Sequence, residues 1–150
     1  MAGGVRLDDT ALRAKLERAI MAAAQNTGVR LVGHLRRKLN TSAVVARAQA
    51  LAGARAKRRR AAKFGWVASK PGDAPRKRTG TLQKSVAAEV IRKDGAVVIR
   101  VGSAVPYARF LERGTRKMAA RPWLRPGILE MKDRLQRDFL AAVRRALAGP

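Results

Sequence analysis

Residues suited to one buried face recur every three or four positions early in the chain: Leu12, Leu16, Ile20, Ala23, Thr27, Leu31, Leu35 and Leu39. That spacing predicts a long amphipathic helix over residues 8–40. Asp8 and Asp9 stand where an N-cap and first turn favour carboxylates, beside free backbone N–H groups. Gly28 and Gly33 each weaken the helix by about 1 kcal/mol relative to Ala, which points to a bend or to close packing there. Asn40-Thr41-Ser42 reads as a stop or a re-cap. Residues 43–63 are rich in Ala and Arg and can continue as helix, but only Val44, Val45 and Leu51 give them a stripe.

The pattern changes after Phe64 and Trp66. Pro71, Gly72 and Pro75 fall within five residues, so this stretch is expected to be an extended loop. Thr81 to Ser85 can form a short helical turn capped by Thr79 or Thr81. Val86, Ala88 and Val90 then alternate, as do Val97, Ile99 and Val101, with Arg92-Lys93-Asp94-Gly95 between them. Asp-Gly between alternating runs predicts a β-hairpin. Pro106 can open a short helix through Arg113, with Gly114 as its C′ residue. Residues 115–121 read as a basic loop. Pro122 and Pro126 precede a last helix with Ile128, Met131, Leu135, Phe139, Ala142, Val143 and Leu147 as its stripe. Glu130–Arg134 and Asp133–Arg137 are spaced as i, i+4 pairs on it. The sum is an α+β fold: a long N-terminal helix, a small antiparallel sheet with a hairpin, a short helix and a C-terminal amphipathic helix.

Composition narrows the classes. The chain has 150 residues, room for one domain, and its net charge is +24. Ala supplies 29 of its residues, so the core is thin and neighbouring copies or partners are expected to complete it. There is no Cys and a single His, His34, which excludes disulfide scaffolds, thiolate chemistry and an ordinary His-based triad. His34 lies beside the helix stripe, where packing or plain surface is expected. No catalytic, cofactor-binding or metal-binding constellation is apparent, and there is no phosphate-binding glycine loop. No apolar run is long enough to span a bilayer, and the start MAGGVRLDDT lacks the regions of a secretory leader, so a cytosolically made chain is expected.

The sharpest charge feature is Arg55, Lys57, Arg58, Arg59, Arg60 and Lys63. Residues 53–80 hold ten basic residues against one acidic, a net of +9. Three readings stand: docking onto acidic protein neighbours, contact with DNA phosphates, or a solvated run held off by its own charge. Trp66 beside the run could stack on a base, although an interface or core anchor suits a lone Trp better.

The most informative stretch runs from Val101 to Leu129. Tyr107, Phe110 and Leu111 can share one face of a short helix. Glu112 can accept hydrogen bonds from the following turn or pair with Arg113 or Arg116. Gly114 permits a sharp exit through positive φ. Physically this is a rigid corner between sheet and helix, and a purely structural role is the default for each residue in it.

In order along the chain stand Pro71, Gly72 and Pro75; Thr79, Gly80, Leu82 and Ser85; Tyr107 and Ala108; Glu112, Gly114 and Thr115; then Ala120, Arg121, Pro122, Trp123 and Leu124, with Pro126 following. This series resembles the head–tail joining or tail-completion family of long-tailed bacteriophages, of the minor tail protein Z type, over residues 71–147. Trp123 departs from the more usual Phe. The segment 41–70, helical or loop, is longer and more basic than that pattern explains.

The resemblance implies a structural virion protein, assembled in the bacterial cytoplasm and placed at the neck. It would complete the tail end and join it to the head connector, with no bond chemistry. The implied partners are further copies in a ring, sixfold by expectation, the head connector or stopper, the tail terminator or tube, and genomic DNA in the channel, without a membrane. The alternative is a small basic nucleic-acid-binding protein, which the charge suits equally and the motif series does not explain.

Overall fold

A computed structural model describes the backbone of residues 9–52 and 69–148, and the side chains of residues 10–40 and 69–148. The elements run α1 (Asp9–Ala52), α2 (Thr81–Ser85), β1 (Val86–Lys93), β2 (Ala96–Ser103), α3 (Ala108–Arg113) and α4 (Leu124–Ala148). This is the expected α+β arrangement.

The expected stop at residues 40–42 does not occur, and α1 continues to Ala52. Asn, Thr and Ser offer the backbone competing hydrogen bonds, which makes them mildly unfavourable inside a helix without ending it. Between Gly33 and Gly53 the chain has neither Gly nor Pro to break it. Asp9 is the first helical residue. Asp8 lies outside the described residues, as do Arg55, Lys57, Arg58, Arg59, Arg60, Lys63, Phe64 and Trp66.

The α1 stripe is buried only from Ala19 onward. Ala23, Ala24, Thr27, Leu31, Leu35 and Leu39 are buried, whereas Leu12 and Leu16 are exposed. Thr27 tolerates burial because its hydroxyl donates to the Ala23 carbonyl at 2.8 Å. α4 lies antiparallel on this helix: Lys38 pairs with Glu130, Arg30 with Asp138, and Lys15 Nζ donates to the Leu147 carbonyl. A Cβ on Gly127 would overlap the Leu35 side chain, so this bare position sets the closest approach of the two helices.

The expected pairs along α4 do not form. Glu130 reaches across to Lys38 and His34, and Arg134 faces Asp138 at 3.9 Å. For Glu130, the Lys38 ammonium and the His34 ring on the packed neighbouring helix outcompete one exposed Arg on its own helix, since exposed i, i+4 pairs are worth only about 0.3–0.5 kcal/mol.

The hairpin pairs in register from Val86↔Ser103 to Lys93↔Ala96, so the turn shrinks to Asp94-Gly95. Both residues have positive φ, 51° and 75°, as a type I′ turn requires. Val86, Ala88 and Val90 share one face, and Val86 is fully buried. α1 crosses that face at Gly28, where a Cβ would stand 3.3 Å from Ala88 Cβ and 3.6 Å from Ile99 Cγ2. Close packing expected at Gly28 is therefore present. At Gly33 a Cβ would meet only Arg37 of the same helix. The core joins Leu31, Leu35 and Leu39 to Val86, Ala108, Trp123 and Leu135.

Candidate functional site: the corner and its cleft

α3 begins at Ala108, two residues later than expected, because Pro106 and Tyr107 form a turn whose Val105 carbonyl accepts the Ala108 N–H at 3.1 Å. Ala108 is buried, which brings the α3 backbone down onto the core, while Tyr107 and Phe110 point outward and are exposed. Leu111 is half-buried.

Gly114 closes α3 with φ +77°, and its N–H donates to the Phe110 carbonyl at 2.8 Å. A Cβ there would lie 2.8 Å from both the Ala120 nitrogen and the Met118 oxygen. These atoms cannot yield, because they belong to a tight backbone clasp. Thr115 and Met118 exchange N–H···O bonds of 2.8 and 3.2 Å, the Arg121 N–H donates to Leu111 at 2.7 Å, and the Gly72 N–H donates to Ala120 at 3.0 Å. Residues 115–121 are thus folded back onto α3 and the loop near Pro71. Thr115 also accepts the Lys117 N–H on its hydroxyl at 3.3 Å.

Glu112 pairs with neither Arg113 nor Arg116. Its Oε2 accepts the Trp123 and Leu124 N–H groups at 2.7 and 2.9 Å, and its Oε1 accepts that of Arg125 at 2.9 Å. A helix leaves its first N–H groups without intrahelical acceptors, and its N-terminus favours negative charge. Pro126 was expected before the last helix and lies within its first turn. It contributes no N–H, so the sequence Trp123-Leu124-Arg125-Pro126 presents three donors and Glu112 satisfies all three. Pro122, half-buried, stands just before the capped stretch. Trp123, 2% exposed, fills the core beneath it.

On the other side of the corner, the left-handed Gly80, φ +84°, stands at the N-cap of α2 and makes no side-chain cap bond, while the expected Thr79 hydroxyl reaches the first helical N–H from one residue further out. Thr79 Oγ1 accepts the Thr81 N–H at 3.3 Å and lies 2.8 Å from Thr81 Oγ1. α2 is held from α1: Arg36 Nη2 donates to the Val86 and Lys84 carbonyls at 2.9 and 3.3 Å, and Gln83 Nε2 donates to the Arg36 carbonyl at 3.0 Å. Ser85 and Ser103 hydroxyls meet at 2.7 Å across the hairpin ends.

Between α2, α3 and the loop lies a cleft of about 430 Å³. Leu39, Leu82, Leu111 and Pro75 give it an apolar floor, Tyr107 a wall, and Arg76, Lys77, Arg78 and Arg121 a cationic rim. Arg121 Nε is buried without a hydrogen-bond acceptor. Five residues singled out in the sequence, Thr79, Gly80, Leu82, Tyr107 and Arg121, therefore line one cleft. Glu112, Gly114, Thr115, Pro122, Trp123 and Pro126 build the corner behind it.

Gly127, Arg36 and the Lys38–Glu130–His34 cluster are participants that sequence reasoning missed. A glycine in the first turn of an otherwise good helix was the available signal for Gly127. The Glu130 carboxyl is held below the usual value by the hydrogen bond from Lys38 first, opposed by burial and assisted by His34. Charge is uneven: residues 69–80 and 108–125 hold ten Lys and Arg against Asp73 and Glu112, and both Glu112 oxygens are taken by the cap. Among the described residues no group of three or more His, Asp or Glu is placed to hold a metal ion, and no helix is long and apolar enough to cross a membrane.

A family model described as "Bacteriophage HK97-gp10, putative tail-component" matches residues 5–114. No curated protein and no solved structure matches the chain. The match takes in α1 and the basic segment 41–70, which the motif series left unexplained, and it ends at the glycine that closes α3. By this match over most of its length, the chain belongs to the HK97-gp10-like family of bacteriophage tail components.

Proposed function

We propose that the protein is a structural component of the phage neck, acting as one subunit of a ring that completes the tail end and joins it to the head connector. The work is geometric. The corner fixes the start of α4, which packs on α1, and the outward surfaces meet copies at the sides and different rings above and below. Closed rotational symmetry then leaves a passage for DNA, with six copies as the working number. The basic run Arg55–Lys63 would face acidic neighbours or the DNA in that passage.

The observation that carries this reading, beside the family, is unspent apolar surface. Leu12, Leu16, Tyr107, Phe110, Leu129, Leu140 and Leu147 remain exposed although the chain is short of large apolar residues. Side chains of this kind on both long helices and on the corner suit contact with neighbours better than contact with water. Native mass measurement of the purified chain, with electron microscopy of whole particles, tests the proposal. A closed oligomer and density between portal and tube are expected. A monomer that binds duplex DNA with a salt slope of many ions would favour the nucleic-acid-binding alternative instead.

A further inference from the structure

The cleft combines an apolar floor of Leu39, Leu82 and Leu111 with a rim that includes Lys77, Arg78 and Arg121. Its occupant should carry one apolar anchor and adjacent carboxylates. A carboxylate there would also give the buried Arg121 Nε the acceptor it lacks. The basic run of this chain is excluded by like charge, and a DNA duplex has no apolar anchor to offer the floor.

In a chain of net charge +24, two acidic residues stand side by side at one place only, Asp8-Asp9, directly after Leu7. We propose that the Leu7-Asp8-Asp9 segment of a second copy docks in this cleft, Leu7 on the floor and the carboxylates on the rim. The same chain cannot supply it. Leu39 lies thirty residues along α1 from Asp9, or about 45 Å at 1.5 Å per residue. Leu7 is two residues from the start of that helix, a reach of about 7 Å.

The contact joins two different surfaces, the start of α1 in one copy and the corner of another, and in a ring it repeats head-to-tail. Such a heterologous interface closes into a ring when its rotation permits. The inference rests on the ring reading and gives it a specific joint.

The test is a charge-reversal cycle read by sedimentation and native mass measurement. Asp8→Lys/Asp9→Lys alone and Lys77→Glu/Arg78→Glu alone should each raise the concentration of half-assembly by about tenfold or more. The four changes together should restore it to within about threefold. Circular dichroism on each variant checks that α1 is intact. Rings unaffected by either reversal overturn this joint and leave the ring reading standing. Loss without rescue also overturns it, and assigns the carboxylates to capping α1. A rim variant that assembles normally but loses affinity for a short DNA duplex overturns it in favour of a DNA contact. If the wild type never assembles, the ring reading falls. A synthetic peptide of residues 3–12 then decides the joint: binding that Lys77→Glu/Arg78→Glu abolishes supports it, and absence of binding overturns it.

Discussion

Replacing Glu112 with Ala removes the acceptor of three backbone N–H groups at once. Loss of an ordinary N-cap costs about 1 kcal/mol. Trp123 is 2% exposed, so its N–H has little water to turn to, and an unsatisfied buried donor costs about 1–3 kcal/mol. Leu124 is half-buried and adds less; Arg125 is exposed and can be solvated. The expected total is about 3 kcal/mol, which lowers the thermal midpoint by about 6–12 °C for a domain of this size. Glu112→Gln keeps the shape and one acceptor oxygen but turns an amide N–H towards a backbone N–H and loses charge at the helix N-terminus. About half the loss is expected for it. Far-UV circular dichroism, in heat and in urea, measures both variants at one fixed protein concentration, because association raises apparent stability. An Ala variant within about 0.5 kcal/mol of wild type would refute the cap as a stabilising device.

Gly114→Ala should destabilise more than the Glu112 variants, because its Cβ meets two backbone atoms at 2.8 Å, and Gly114→Val should abolish both folding and infectious particles. Normal particle yield from either variant would contradict the corner geometry. Gly127→Val should force α4 away from Leu35 at a cost of about 1–3 kcal/mol, read as a lower urea midpoint; an unchanged midpoint would mean the helices have slack there. Glu130 has a lowered pKa in the folded state, so its contribution is present above the ordinary value of 4.5 and fades as pH falls through the lower folded value. Glu130→Gln should therefore flatten the acid limb of a stability–pH curve, and identical limbs would rule the pair out. Neutralising Arg58, Arg59 and Arg60 should reduce head–tail joining or genome retention, measured as infectious yield; wild-type yield would make the run a solvated segment.

The hairpin was legible because Asp94-Gly95 and the two alternating runs carry local signals, and local signals survive whatever packs around them. α1 was legible for the same reason, but its end was not. Small polar residues look like a stop in sequence, and a helix without Gly or Pro has no local reason to obey them. The Glu130–Arg134 pair expected along α4 failed because the better partners of Glu130, Lys38 and His34, lie on another helix more than ninety residues away in sequence. The role of Glu112 was half legible. Its place in the corner and its use as an acceptor could be read, but its donors lie eleven to thirteen residues downstream. Burial was misjudged at Leu12 and Leu16, where periodicity marks an apolar face without saying that the same chain covers it.

The family match ends at Gly114, two residues past Glu112 and nine before the first N–H group that this carboxylate accepts. A chain truncated there would retain the acceptor and lose the helix it starts. It would also strip α1 of the surface on which Leu35 rests and leave a Trp-sized hole in the core. Such a fragment is expected to unfold, although it holds every residue that the family model matches. The stretch that the family model matches and the unit that folds cooperatively thus end at different places, and any fragment made to study this protein should follow the second.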